Sequence, residues 1–309
     1  MRFSLESALY TSPMTFVIRI LVIVVLLAGG TLTTLAQISP TPGAGRDGYA
    51  SVPGARLFYT DTGGAGIPVV FLHAATGNSS AWQYQTRAFT AAGYRLIAYD
   101  RRGWGRTIVD SNGPAGTAAD DLRALLDSMD LDRVHIVATA GGGFVAFDFA
   151  LSFPARLRSL VVADSIGGVQ DREILDLETR IRPPQFDELP PEVRELSPGY
   201  RAANPEGTQR WVAIQKQSRP SQPAASTLKL AYSTPMRNQL TLSLFEQIRT
   251  PALLLTGGAD MTAPPALMKI LASHIPNAEF VVVPNAGHSV YWEEPELFNG
   301  TVLDFIRKH

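Results

Sequence analysis

The chain has 309 residues, 45% hydrophobic and 18% charged, a composition typical of a globular protein that excludes a disordered chain and a many-span membrane protein. With 27 basic and 28 acidic residues there is no strong field to attract nucleic acid, so we expect no nucleic-acid partner. The sequence contains no cysteine, which excludes disulfides, a thiolate nucleophile and a cysteine metal site.

The N-terminal segment differs from the rest of the chain because residues 20–45 carry no charge. An apolar run follows Arg19, and Ala36 ends a small-residue cleavage frame, a pattern typical of an export signal. We therefore predict that residues 1–36 are a signal peptide and that the protein is periplasmic or extracellular. Residues 20–36 are just long enough to cross a membrane, so an uncleaved anchor is the alternative and would be the chain's contact with the membrane.

Residues 37–48 are rich in Pro, Gly and Thr and are predicted to be a linker. After it, the apolar patterns predict a hairpin, then alternating strands and helices, at 51–60, 68–73, 80–92, 94–99, 117–129, 133–138, 142–153 and 157–163. Short apolar strands separated by helices predict a parallel sheet that is covered on both faces.

The alternation stops between residues 164 and 250, where prolines separate short amphipathic segments and no apolar strand is seen. It resumes with elements predicted at 251–256, 265–274, 279–283 and 295–308. An insertion of this size in an α/β frame predicts a helical cap over a pocket. We therefore predict an α/β core of residues 49–164 and 250–309 with a helical cap of residues 165–249.

Residues 134–144 pass from an apolar strand through a glycine-rich turn into a helix, which is the layout of a nucleophile elbow. The position that should carry the attacking oxygen is Ala140, whose methyl group cannot attack a substrate. Thr139 is expected to point back into the fold. Ser165 is expected to cap a helix rather than to act as a nucleophile.

Two later loops carry an acid and a base. Asp260 follows an apolar strand and His288 follows the next, which gives the chain order nucleophile, acid, histidine. These residues, with the turn His73-Ala74-Ala75 and the stretch Asp-Arg-Arg-Gly-Trp-Gly-Arg-Thr at 100–107, resemble the α/β-hydrolase superfamily over residues 49–309. Ala74 departs from that family's usual Gly, and Ala140 from its Ser, Asp or Cys.

The resemblance implies an α/β-hydrolase fold, a mostly parallel doubly wound sheet with an inserted helical cap. It implies that His288 is the base, that Asp260 orients it, and that the backbone N–H groups of Gly141 and Ala75 form the oxyanion hole. Asp164 is a second candidate for the acid.

The same resemblance implies that Asp100, Arg102 and Thr107 brace loops through hydrogen bonds. The insertion contributes aromatic side chains and few charges at identifiable pocket positions, which favours a small apolar substrate. The aromatic residues are Phe186, Tyr200, Trp211, Tyr232 and Phe245. The scattered histidines predict no metal site, and without a phosphate loop or dinucleotide fingerprint we expect no cofactor.

Loss of the nucleophile costs a serine hydrolase about a million-fold in turnover, so ordinary acyl-enzyme catalysis is excluded. We expect instead a cofactor-free hydrolase or lyase-type enzyme in which His288 and Asp260 act as a general base on an ester, lactone or ketone. The alternatives are a catalytically silent protein that binds a small ligand and an alanine engineered in place of serine.

Overall fold

The computed structural model describes residues 45–182, 184–218 and 235–309. In these residues the chain forms a nine-stranded sheet in which β1, β2, β4, β3, β6, β7, β8 and β9 lie side by side and β5 pairs with β2. The strands are β1 (Arg46–Val52), β2 (Ala55–Asp61), β3 (Pro68–Leu72), β4 (Arg95–Tyr99), β5 (Ile108–Val109), β6 (Val134–Thr139), β7 (Leu157–Ala163), β8 (Ala252–Gly257) and β9 (Glu279–Val283).

The sheet combines an antiparallel edge with a parallel centre. β2 pairs antiparallel with β1, β4 and β5, whereas the six strands β4, β3, β6, β7, β8 and β9 run parallel to one another. The predicted mostly parallel, doubly wound sheet is thereby confirmed. The hairpin turns at Pro53-Gly54 as predicted, but β1 already begins at Arg46, which pairs with Asp61. Residues 46–48 are therefore strand and not linker.

The helices that the structure describes occur between the strands and at the C-terminal end. They are α1 (Gln83–Ala91), α2 (Ala118–Ser128), α3 (Gly141–Ser152), α4 (Arg172–Ile181), α5 (Pro191–Glu195), α6 (Pro198–Ala203), α7 (Pro205–Ser218), α8 (Leu242–Phe245), α9 (Pro265–Ser273), α10 (Val290–Glu293) and α11 (Pro295–Ile306). Short 3₁₀ turns lie at Ser79–Trp82, Pro154–Arg156 and Phe186–Glu188. Thr117 caps α2, because its hydroxyl accepts a hydrogen bond from the backbone N–H of Asp120, as its position before the helix predicts.

Alternation along the strands divides the core into two layers. In β3, Val70 and Leu72 face the layer that α2, α3 and α9 cover, whereas Val69 and Phe71 face the layer of α1 and α11. Successive side chains of a strand point to opposite faces, so strands that are apolar throughout must be covered on both sides. The central strands are therefore fixed between two helical layers, and their carboxyl ends are held in place.

Helices α4 to α7, residues 172–218, lie between β7 and β8 and are called the inserted helices below. Their position agrees with the helical insertion expected there, while the limits of a separate cap at 165 and 249 remain a prediction. Among the residues that the structure describes, no helix has the length and hydropathy needed to span a membrane. The predicted signal peptide or anchor at 1–36 lies outside those residues.

Candidate active site

Five predicted site residues meet at one edge of the sheet. Ala75 follows β3, Ala140 follows β6, Asp164 follows β7, Asp260 follows β8 and His288 follows β9. All five are buried, and they are called the sheet-edge group below. In a parallel sheet the carboxyl ends of the strands lie together, which is where open α/β sheets bind ligands.

Ala140 occupies the strained apex of the turn between β6 and α3. Its backbone has φ +49° and ψ −120°, a conformation that costs a residue with a Cβ of order 1–3 kcal/mol. The two glycines that follow at 142 and 143 allow the turn to pack. A Cβ on Gly142 would lie 2.3 Å from the carbonyl oxygen of Leu72, and one on Gly143 would lie 2.4 Å from Oγ of Ser165. These glycines thus serve the packing of the elbow.

Hydrogen bonds to the carbonyl groups of the same peptides fix the direction of the two N–H groups of the expected oxyanion hole. The His73 ring bonds the carbonyl oxygen of Ala74 through Nδ1 at 2.7 Å, and Ser165 Oγ donates to the carbonyl oxygen of Ala140 at 2.7 Å. In a planar trans peptide the N–H points away from the C=O, so the N–H groups of Ala75 and Gly141 point away from these anchors. Both residues line the cavity described below.

Ser165 therefore has a different role from the one that its sequence position favours. No described helix begins at this residue, since the next one, α4, starts at Arg172, so the expectation of a helix cap is wrong. Its hydroxyl donates to Ala140 and accepts from the N–H of Gly167 at 3.2 Å, which uses it in the turn. Thr139 is fully buried and does not line the cavity, as expected for a side chain that points into the fold.

His288 and Asp260 form a buried pair. Nδ1 of His288 lies 2.8 Å from Oδ2 of Asp260. The other carboxylate oxygen, Oδ1, accepts from the backbone N–H groups of Thr262 at 2.7 Å and Ala263 at 2.8 Å. These bonds fix the orientation of the Asp260 carboxylate. Because a carboxylate oxygen accepts, Nδ1 of His288 carries a proton, and Nε2 is the nitrogen that faces the cavity.

The acids around the ring hold a proton on His288. Burial lowers its pKa, but the charges of Asp260 and Glu195, the hydrogen bond to Asp260 and the charge of Asp164 outweigh burial and raise the pKa to about 9. At neutral pH the imidazole is therefore predominantly protonated. A ring in this state can donate a proton.

Asp164 is not the hydrogen-bond partner of His288. Its Oδ1 accepts from the N–H of Gly257 and its Oδ2 from the N–H of Val290, both at 3.1 Å. Burial and the neighbouring charge of Asp260 raise its pKa well above the usual range, although His288 and the two backbone donors oppose the shift. Asp164 therefore ties β8 to the start of α10, while Asp260 holds the ring.

The motif at residues 100–107 braces the loops beside the site. Asp100 accepts from the backbone N–H groups of Ser79 and Arg106, both at 2.7 Å. The hydroxyl of Thr107 donates to the carbonyl of Asp100, and the guanidinium of Arg102 donates two hydrogen bonds to Asp121 at 2.7 and 2.8 Å. None of these three motif residues is among the described residues that line the cavity.

A cavity lies above the elbow, and Ala75, Ala140, Gly141 and His288 are among the residues that line it. Its apolar wall is formed by Phe144, Ile166 and Phe186. The inserted helices and the turn between them add charged side chains, so the expectation of few charges in the pocket is wrong. The charged residues contributed from this side are Arg182, Asp187, Arg194 and Glu195.

The aromatic residues expected to form the pocket separate into different environments. Phe186 lines the cavity, whereas Trp211 and Phe245 are buried in the core clusters and Tyr200 packs against one of them. Tyr232 lies outside the described residues. Phe186 is thus the one member of this set that the structure places on the cavity wall.

Sequence reasoning missed two buried acids of this site. Oε2 of Glu195, the last residue of α5, lies 3.9 Å from Nε2 of His288. Glu293 accepts from the N–H of Gly287 through Oε1 and from the N–H of Ser197 through Oε2, both at 3.0 Å. Both acids fall in short helices of four or five residues, where no periodic pattern can reveal burial.

A sequence profile of the alpha/beta hydrolase family matches residues 69–301. A 2-hydroxy-6-oxononadienedioate/2-hydroxy-6-oxononatrienedioate hydrolase of Paraburkholderia phymatum is 31% identical over 275 residues, covering 81% of this chain and 91% of that protein. The range matched by the family profile contains the elbow, Asp260 and His288.

Two solved structures illustrate the same fold. A thermophilic esterase from Thermogutta terrifontis is 27% identical, with a TM-score of 0.68 over 85% of this chain and 98% of that chain. An enol-lactonase from Burkholderia xenovorans LB400 has a TM-score of 0.68 at 22% identity, over 84% of this chain and 99% of that chain. At that identity the second likeness concerns the fold alone.

Proposed function

The chain belongs to the alpha/beta hydrolase family, and on that premise we propose that it is a cofactor-free hydrolase or lyase-type enzyme that works without a serine nucleophile. In this proposal His288, held by Asp260, moves the proton of the reaction, and the N–H groups of Ala75 and Gly141 stabilise the developing oxyanion. The substrate is a small ester, lactone or ketone.

One observation carries this proposal. The 2.8 Å contact between His288 and Asp260 is kept in a cavity that Ala75, Ala140 and Gly141 also line. A protein that only binds a ligand needs no buried carboxylate to orient an imidazole. The arrangement retains proton transfer and oxyanion stabilisation, which together do not require a covalent intermediate.

The geometry supports a direct reaction on the carbonyl. A carbonyl oxygen placed at the two N–H groups gains stabilisation as negative charge develops on it. The methyl group of Ala140 cannot form an ester with the substrate, so the attacking atom must come from water or from the substrate itself. Proton transfer at Nε2 of His288 then contributes on the order of 10²- to 10⁴-fold to the rate.

The relatives support a carbonyl compound as substrate. The Paraburkholderia phymatum protein is named for the hydrolysis of a 6-oxo dioate, and the Thermogutta terrifontis structure is that of an esterase. In this chain Phe144, Ile166 and Phe186 offer an apolar wall for the body of such a molecule. The substrate proposed here therefore combines an apolar body with a reactive carbonyl.

Export and a separate cap are also proposals, and both rest on the sequence. We propose that residues 1–36 direct export and that residues 165–249 close over the cavity. The mass of the protein recovered from the periplasmic fraction, the medium and the membrane fraction tests the first. Cleavage after Ala36 is the expected result, and an intact leader would support the membrane anchor.

Turnover of a panel of aryl esters, lactones and β-diketones tests the enzymatic function. We expect the wild-type protein to turn over at least one class and His288→Ala to lose that activity. If the wild-type protein is inactive on the whole panel while Ala140→Ser gains esterase activity, the chain is a silent binding protein and the proposal is wrong.

A further inference from the structure

We propose that Glu195 is a catalytic residue of this site, the carboxylate that accepts the proton of the attacking water while His288 protonates the leaving group. The inference rests on the proposed function, because it assigns the acid and the base of that same hydrolysis. Glu195 is then the base of the reaction and His288 is the acid.

The position of Glu195 suits this role. Its Oε2 lies 3.9 Å from Nε2 of His288, which is too far for a direct hydrogen bond. One oxygen atom can nevertheless lie about 2.8 Å from both groups, because the two contacts then meet at close to a right angle. A water molecule in this position would contact the acid and the imidazole at once, in the cavity that Ala140 also lines.

Oε2 of the Glu195 carboxylate can also accept a hydrogen bond from a ligand. The residue is 95% buried, and Oε2 has no hydrogen-bond partner among the described residues. A buried acceptor without a partner is costly, so its presence at the cavity wall calls for a ligand that donates to it. An O–H group of water supplies that donor.

Glu293 fixes Glu195 beside the histidine. Its two carboxylate oxygens hold the N–H of Gly287, next to His288, and the N–H of Ser197, two residues after Glu195. Gly287 lies so close to this segment that a Cβ on it would be 3.0 Å from the carbonyl oxygen of Glu195. The loop of His288 and the end of α5 are thus joined as one unit.

Burial and neighbouring charges shift the pKa values of both Glu195 and His288. Burial raises the pKa of Glu195, and the charge of Asp260 adds to this, while His288, Arg194 and the hydroxyl of Thr76 oppose it. The ring of His288 faces Asp260 and Asp164 as well as Glu195, and these acids stabilise its protonated form. A charged imidazole and a charged carboxylate thus stabilise each other across the 3.9 Å between Nε2 and Oε2.

Each step of the proposed hydrolysis balances. Glu195 takes a proton from water as the water oxygen bonds to the carbonyl carbon, and the electron pair of the C=O bond moves to the oxygen held by the N–H groups of Gly141 and Ala75. When this intermediate collapses, the bond to the leaving group breaks and Nε2 of His288 donates a proton to it. The proton on Glu195 then passes to His288, so one water is consumed and the site is restored.

The test compares Glu195→Gln with Glu192→Gln, a matched control in the same helix whose side chain is not among the described cavity-lining residues. We expect Glu195→Gln to lower kcat/KM at pH 7 by about 10²- to 10⁴-fold and the control to keep the wild-type value. Formate should restore part of the activity of Glu195→Ala, because it supplies a carboxylate to the same space.

The shape of the pH profile separates the two assignments of the base. If His288 is the acid, wild-type kcat/KM falls as pH rises through about 9; if it is the base, kcat/KM rises there. Wild-type or higher activity of Glu195→Gln at pH 7 would overturn the proposal, since removing a carboxylate from beside His288 frees the neutral ring.

A measurement without substrate keeps this inference distinct from the proposed function. Nitrogen NMR of the His288 ring reports its pKa in the wild-type protein and in both glutamine variants. We expect a lower pKa in Glu195→Gln and no change in Glu192→Gln. If the wild-type protein turns over no compound of the panel, the proposed function fails. If the pKa of His288 is unchanged in Glu195→Gln, the role of Glu195 beside His288 is overturned, whatever the activity.

Discussion

The sheet-edge group and the inserted helices hold the same imidazole in different ways. From the sheet edge, Asp260 contacts Nδ1 at 2.8 Å and is itself held by two backbone N–H groups. From the inserted helices, Glu195 approaches Nε2 only to 3.9 Å. The sheet edge therefore fixes geometry, whereas the inserted helices supply charge at distances that a substrate or water can bridge.

Two charged pairs among the described residues of the inserted helices are also long. Arg194 and Asp187 are 3.6 Å apart, as are Arg182 and Glu178. Such contacts are longer than the charge-assisted hydrogen bonds of a rigid ion pair, which are about 2.7–2.9 Å. Substitutions at the sheet edge should therefore damage turnover and folding, while those in the inserted helices should have milder effects on stability.

The largest effect is expected at Asp260. In Asp260→Asn the amide preserves the shape of the side chain but removes the charge and the preference for a proton on Nδ1, so kcat/KM should fall by about 10²- to 10⁴-fold. Steady-state kinetics on the substrate found in the panel gives this ratio. Near-wild-type turnover would mean that another acid, Asp164 or Glu195, can orient the ring and that Asp260 is not required for this.

The next effect concerns the elbow and is measured as stability. In Gly142→Ala the new Cβ would meet the backbone carbonyl of Leu72 at 2.3 Å, and because backbone cannot give way, the free energy of unfolding should drop by about 1–3 kcal/mol. Denaturant unfolding provides the measurement.

Gly300→Ala is the matched control for the elbow substitution. Gly300 is exposed within α11, and a Cβ there meets nothing within 4 Å, so this variant should gain roughly 0.5–1 kcal/mol. If both variants shift in the same direction, the close approach at the elbow does not limit stability.

The smallest effect is expected in the inserted helices. The hydroxyl of Ser197 caps α6 by accepting from the N–H of Tyr200 at 3.1 Å, so Ser197→Ala should cost about 1 kcal/mol in unfolding free energy. The side chain of Ser197 also hydrogen-bonds Glu293, whereas the bond from its backbone N–H to Glu293 does not depend on the side chain. A loss greater than that of Gly142→Ala, in the same unfolding experiment, would reverse the proposed order of the two regions.

The sequence alone predicted the sheet and most of the elbow. Apolar runs such as 157–163 match β7 at both ends, because a buried strand must be apolar on both faces. Ala140, Asp260 and His288 each follow an apolar strand in the sequence, and a parallel sheet brings the carboxyl ends of such strands together. The start of β1 at Arg46 was missed, because its polar residues lie on an exposed edge.

Only the tertiary structure decided what surrounds the imidazole. Glu195 and His288 are 93 positions apart, and Glu195 lies in a five-residue helix bounded by prolines, too short for burial to appear as a period. The same holds for Ser165, whose hydroxyl reaches back to Ala140 instead of capping a helix. Periodicity records which face of an element is buried, whereas the partner that a buried polar group finds depends on how distant segments pack against each other.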